Sequence, residues 1–487
     1  MPNLTRRGLI ASAAAFAASP VLAAGTRLEP DALAADAGIL EAAYSALHPG
    51  LYRYNSPRRM AGRFADLRKA WTRPRSQSQA FLDLARLTAG VRCGHSYPSP
   101  YNLPDATTAA LFGGRDRLPF HFRWIDGRMV VLRDLTGEAG LARGAEVLAL
   151  NGEPVGRLLK ALMPLVRADG SNDAKRVRNL ELRGENRWDA LDLYLPILRP
   201  ELAEQASLTV RDPGGRVRTV RVRLMTGAER EAIPGPAAAS AESPLGWRLE
   251  RMAGGAAVLT MPNWVAYNTD WDWQAWLAEG MARITAERAP ALIVDLRGNE
   301  GGNDCGDGIL PWLIEAPLTP RPQKRMTRYR KTPDALNPYL DTWDRSFRDW
   351  GAEASGPDSN GFYALAGAPD SVIQPAPRRF GGRVFVLADA SNSSATFQFG
   401  QTIRDYRLGT IVGQTSGGNR RGINGGAFFF LRLPGSGLEV DLPLIATFPL
   451  TPQPDAGIEP DIAVRPSAAA VARGGDVEME AVRAALG

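Results

Sequence analysis

Three residue types are scarce in this chain of 487 residues. Cysteine occurs twice, at Cys93 and Cys305, which excludes a disulfide-built scaffold and any CxxC metal site. Histidine occurs three times, at His48, His95 and His121, with no HExxH pattern and no His/Cys cluster, so neither a metal nor another cofactor is expected. Only Lys69, Lys160, Lys175, Lys324 and Lys331 are lysines among 58 basic residues. The arginines are scattered without a basic run, so the net charge of +6 does not point to a nucleic-acid partner. Apolar runs approaching the ~20 residues that span a bilayer are missing too, and no membrane span is expected. The two cysteines stand beside the motifs below and could pair in an oxidising compartment, or remain buried thiols.

What is present begins with MPNLTRRGLIASAAAFAASPVLAAG. Adjacent arginines (Arg6, Arg7), a weakly apolar middle and small residues near Ala23 read as a removable leader over residues 1–23. The paired arginines point to the twin-arginine route, hence a periplasmic or secreted protein. Residues 24–112 carry three- and four-residue apolar spacings and read as a helical region. Residues 115–228 alternate around Asp126-Gly127 and Pro213-Gly214-Gly215, the marks of β-hairpins. With GLARGAEVLALNGEPV between them, this stretch resembles a PDZ domain, lengthened by a helical insertion over 156–205. That resemblance implies a groove that takes a peptide as an added strand; a plain β-rich packing module is the alternative. Residues 245–466 alternate apolar strands (ALIVDLRG, RVFVLADA, GTIVG) with helices, which argues for a layered α/β core. Inside it, residues 317–379 form a long insertion, read as a lid or as a solvated excursion. A C-terminal helix is expected over 467–487.

Two strand ends carry chemistry. After Arg297 the chain turns through Gly298-Asn299-Glu300-Gly301-Gly302 toward an expected helix; paired glycines with free amides ahead suit an oxyanion hole, a phosphate cradle or a tight turn. No Gly-Lys-Ser/Thr follows, so a P-loop is excluded. The other end, Ser391-Asn392-Ser393-Ser394, opens a second helix. There a serine is either a helix cap or a nucleophile favoured by the helix dipole.

Taken in order, Asp295-Leu296-Arg297-Gly298-Asn299-Glu300-Gly301-Gly302, Ser393-Ser394-Ala395, Val412-Gly413-Gln414-Thr415-Ser416-Gly417-Gly418 and Gly457-Ile458-Glu459-Pro460-Asp461 resemble the tail-specific, or carboxy-terminal processing, peptidases and their tricorn-core relatives. The resemblance spans nearly all of the chain after the leader. It implies a crotonase-like α/β core, Ser394 as nucleophile, and an oxyanion hole from the amide of Ala395 and one of Gly301-Gly302. The reaction implied is acyl transfer on a peptide or unfolded protein.

The departures narrow this. Thr396-Phe397 stands where an acidic residue is common, and no lysine occurs after Lys331, so the family's Ser–Lys dyad is excluded. Arg420 and Arg421 stay protonated and cannot act as bases. In tricorn-type members an N-terminal histidine activates the serine, and His95 takes that place, although Gly94 precedes it where those members carry serine. Its orienting carboxylate is Glu459 or Asp455. His48 and His121 read as structural. The rival functions are an inactive scaffold that binds a peptide or apolar ligand, and an esterase or amidase acting on small molecules. Oligomeric state and cleavage specificity have no sequence signal.

Overall fold

A computed structural model describes residues 27–233, 243–318, 323–366 and 372–487. The expected leader, residues 1–23, lies outside the described residues. The architecture is mixed α/β, with three six-stranded sheets among the described residues.

One sheet is almost wholly parallel. Ala257–Thr260, Ala291–Asp295, Arg383–Ala388, Thr410–Gly413 and Ile462–Ala463 pair side by side in chain order, with Arg248–Arg251 antiparallel at one edge. Their near-continuous Val, Ile and Leu are those of strands covered on both faces. Leu292, Val294 and Val386 face the crossover helices Trp273–Ala286 and Ser394–Asp405. Ile293, Phe385, Leu387 and Val412 face the C-terminal helix Val477–Leu486. Three neighbouring parallel strands (291–295, 383–388 and 410–413) therefore deliver the three loops of the motif set to one carboxyl edge, where ligand sites form in open α/β sheets.

The second sheet is antiparallel and built on the long hairpin Asn424–Leu433/Leu438–Pro449. Here the insertion over 317–379 differs from the expected lid. Its strands Gln323–Thr327, Leu340–Asp341, Ala354–Ser355 and Tyr363–Leu365 extend this sheet on both sides of the hairpin. The insertion is thus bound by ladder hydrogen bonds rather than left as a free flap.

The N-terminal helices Pro30–Leu47, Pro57–Ala70 and Gln77–Val91 pack on this second sheet. Leu40, Tyr44 and Phe81 share one core with Phe429, Leu431, Val440 and Leu442. The same core continues into the β-rich module, where Phe120–Ile125 turns into Arg128–Asp134 through Asp126 and Gly127, both at positive φ. The insertion of that module folds as three helices, Val155–Leu162, Asp173–Asn179 and Ala190–Leu198. His48 ends the first N-terminal helix; its Nδ1 accepts from the Gly50 amide and its Nε2 donates to Ser96 Oγ at 2.9 Å. No helix among the described residues is long and apolar enough to cross a membrane.

Candidate active site

The strand Arg383–Ala388 ends in a loop whose side chains are consumed by geometry. Asp389 accepts the amides of Ser391 (2.8 Å) and Gly298 (3.3 Å), and Arg178 and Arg183 each lie 3.4 Å from its carboxylate. Burial opposes its ionisation, but those cations and amides hold it well below the usual carboxylate range. Asn392 donates to the carbonyls of Leu296 (2.6 Å) and Asn299 (3.0 Å), lacing the serine loop to the glycine loop. Thr396, of the Thr396-Phe397 pair, donates to Asn299 O at 3.1 Å and serves the same junction. Each such bond, buried and satisfied, contributes on the order of 1 kcal/mol.

Ser394 opens the helix Ser394–Asp405 at φ +53°, in the left-handed region that costs a non-glycine residue. Its hydroxyl makes no hydrogen bond among the described residues. The serines do not act as caps here: Ser393 makes no side-chain cap bond and donates instead to Glu300 O at 3.2 Å. Nor does the glycine loop run into an α-helix. It passes through short 3-10 turns, Cys305–Gly308 and Leu310–Trp312.

Gly301 backs directly onto the serine. A Cβ there would sit 2.9 Å from Ser394 Cβ, 2.8 Å from Ser393 O and 3.0 Å from the Ala395 nitrogen, at φ +100°. The Gly301 amide is already given to Asn299 Oδ1 at 2.8 Å. Of the glycine pair, the Gly302 amide is the one left without an acceptor among the described residues, as is that of Ala395. Gly302 is fixed by contact as well, since a Cβ would meet Trp264 O at 2.2 Å. Gly301→Ala should therefore displace the serine and lower kcat by ~10²–10³. Steady-state kinetics on a labelled peptide, with circular dichroism to verify folding, tests this; unchanged kcat would refute it.

His95 lies in the turn after Gln77–Val91, held to the antiparallel sheet. Ser99 N donates to Glu439 O, Asp441 N to Tyr97 O, and Pro98 bridges Val440. The imidazole is half-buried against Phe428 (ring centroids 5.8 Å apart), and its Nδ1 is buried with no hydrogen-bond partner among the described residues. Burial lowers its pKa; Asp169 opposes this first, Arg167 and Lys175 reinforce it, and Glu300 opposes it. Ser394 and His95 share no hydrogen bond among the described residues. Glu300 bears on both, since its charge favours the imidazolium and its carbonyl accepts from Ser393 Oγ.

Neither expected orienting carboxylate is on the imidazole. Glu459 is exposed, accepts from Thr415 Oγ1 at 2.8 Å, and its carbonyl holds Arg404. Arg404 stands near the far end of the helix that Ser394 opens, ~15 Å along its axis. Asp455 accepts from Ser171 (N and Oγ, both 2.9 Å) and from Asn419. The carboxylate beside the histidine turn is Asp169, which accepts the Gly94 amide at 2.9 Å. A Cβ at Gly94 would be 2.7 Å from Asp169 Oδ2, so glycine there makes room for the acid. Cys93 and Cys305 are both free and buried. No group of three or more His, Cys, Asp or Glu side chains that could hold a metal occurs among the described residues.

Residues 255–464 match the model of peptidase family S41. The chain carries a peptidase family S41 domain and is a serine-type peptidase. The S41 domain covers the parallel sheet from Ala257 to Ala463 and so includes all four motifs. Among solved structures, mature CPAF is similar over 94% of this chain and 96% of its own, with a TM-score of 0.65 and 16% identity. Mature CPAF complexed with lactacystin gives 0.64 and 16% over 94% and 98%. A CPAF point mutant gives 0.67 and 15% over 94% and 96%. At such identity the likeness shows a shared fold, and it extends well beyond the S41 domain. No curated protein matches the sequence.

Asp169, Lys175 and Arg178 escaped the sequence reading because they lie in the helical insertion of a different module. One signal was available: Lys175 is a rare lysine in a chain that uses arginine almost everywhere.

Proposed function

We propose that this chain is an exported serine endopeptidase in which Ser394 attacks a peptide carbonyl and His95 is the general base. The carrying observation is the left-handed Ser394, uncapped and pressed on Gly301, with its hydroxyl uncommitted. His95 takes the hydroxyl proton as Oγ bonds to the carbonyl carbon, and the oxyanion is received by the amides of Ala395 and Gly302. The imidazolium returns the proton to the leaving amine, and water then hydrolyses the acyl-enzyme by the same base. Asp169, rather than Glu459 or Asp455, is the carboxylate we assign to stabilise the imidazolium.

In this reading the S41 core is crotonase-like, and the β-rich module is PDZ-like and presents a sheet edge to the C-terminus of an unfolded substrate. The leader carries the chain to the periplasm or beyond. The test is labelling with a fluorophosphonate near neutral pH. Adduct mass on Ser394, absent from Ser394→Ala and slowed in His95→Ala, is the expected result. A folded protein that does not label would mark an inactive binding scaffold. Turnover of a nitrophenyl ester but not of a denatured protein would mark a small-molecule esterase.

A further inference from the structure

Lys175 sits where the three motif loops meet. Its Nζ donates to Glu300 Oε1 at 2.8 Å in the glycine loop and to Ser391 O at 2.9 Å in the serine loop. Its Cδ packs on the third loop, where a Cβ at Gly417 would lie 2.8 Å away. The residue is 4% exposed and stands 216 positions before Ser391. Its helix is pinned to the same place. Asn172 caps Asp173–Asn179 by accepting the Lys175 amide and donates to the carbonyls of Ser416 and Gly418, both at 2.8 Å.

We propose that Lys175 is a positioning residue for acyl transfer, setting the distance between the Gly302 oxyanion amide and Ser394 by tying Glu300 to Ser391. An ammonium suits the task because its several N–H donors can serve one acceptor from each loop at once. Buried as it is, it is held only while both acceptors stay in place. Glu300 immediately precedes Gly301-Gly302, so its movement carries the Gly302 amide with it. The Glu300 carboxylate, which burial alone would raise, is pulled down to about 2 by Lys175 and Arg167 and stays ionised at neutral pH, while burial lowers the Lys175 pKa and Glu300 opposes that shift. Arg167, 3.7 Å from Glu300 Oε2, donates to Gly94 O at 2.9 Å and extends the same tie to the histidine turn. Lys175 makes no hydrogen bond with Ser394 itself among the described residues and is not assigned as its base.

This inference rests on Ser394 being the nucleophile, and the experiment separates the two. Wild-type protein is first labelled with a fluorophosphonate; failure of Ser394 to label overturns the nucleophile and this inference with it. Labelling rate, kcat, KM and thermal midpoint are then measured for Lys175→Met and for Lys175→Met/Glu300→Gln. A misplacement of about 1 Å costs up to ~10²-fold. Labelling rate and kcat should therefore fall together by ~10- to 100-fold in both variants, with KM within about threefold of wild type. The single variant strands the Glu300 carboxylate and loses stability; the double variant removes both charges and recovers thermal midpoint but not rate. A merely structural lysine would give the opposite, rate recovering along with stability. A folded single or double variant that labels within about threefold of the wild-type rate overturns the proposal.

Discussion

Ser394→Gly is expected to abolish peptide hydrolysis, by roughly 10⁴-fold or more, while leaving the protein at least as heat-stable as the wild type. The loss follows from removing the attacking oxygen. The stability follows from backbone conformation, because Ser394 is held at φ +53° at the first position of a helix. A left-handed non-glycine residue costs of the order of 1 kcal/mol, and glycine removes that cost. Some of the gain is offset because glycine also frees the unfolded chain by about 0.4–1 kcal/mol. Ser394→Ala separates the two effects: activity is lost equally, but the Cβ stays in the left-handed region and no stability is gained. Activity on a denatured, fluorescently labelled protein and scanning calorimetry of both variants decide it. A glycine variant clearly less stable than the alanine one would show that position 394 stores no strain.

The second large effect is at His95. His95→Gln should lower kcat by ~10²–10⁴, the usual range for a positioned acid–base group. Wild-type kcat/KM should fall as acid protonates the imidazole, with a limb below the ordinary histidine value of about 6.5 because burial disfavours the cation. Asp169 is the leading opponent of that shift. In Asp169→Asn the imidazolium loses its leading stabilising charge, so the pKa falls further and the acid limb moves to lower pH, while the maximal rate drops with the weaker base. Profiles of kcat/KM from about pH 4 to about pH 8 for the wild type and Asp169→Asn test this. A limb unmoved by Asp169→Asn would remove Asp169 from its assigned role.

The strands of the parallel sheet were legible because each is a local event. ALIVDLRG and RVFVLADA are apolar runs bounded by glycine or polar turns, and they fold as Ala291–Asp295 and Arg383–Ala388. The crossover helices between such strands were legible from their periodicity. The antiparallel sheet was not. The strands that the insertion adds are two to five residues long, too short for alternation to show. In Phe428-Phe429-Phe430 of the hairpin, successive aromatics look the same whichever face they occupy.

The same division runs through the site. The sequence by itself determined the serine loop and the glycine loop, because parallel neighbouring strands must release their loops at one edge. Thr396, Asn392 and Asn299 then lace them together over short reach. Tertiary structure alone decided which charges act on His95, which groups hold Glu459 and Asp455, and that a lysine arrives from upstream although none exists downstream. A charge acquires its role from burial and from partners, and those depend on how modules dock. Lys175 stands 125 or more positions before the loops it ties, and Asp169 stands 75 positions after the Gly94 amide it accepts, both in a helical insertion whose local pattern records only that it is helical.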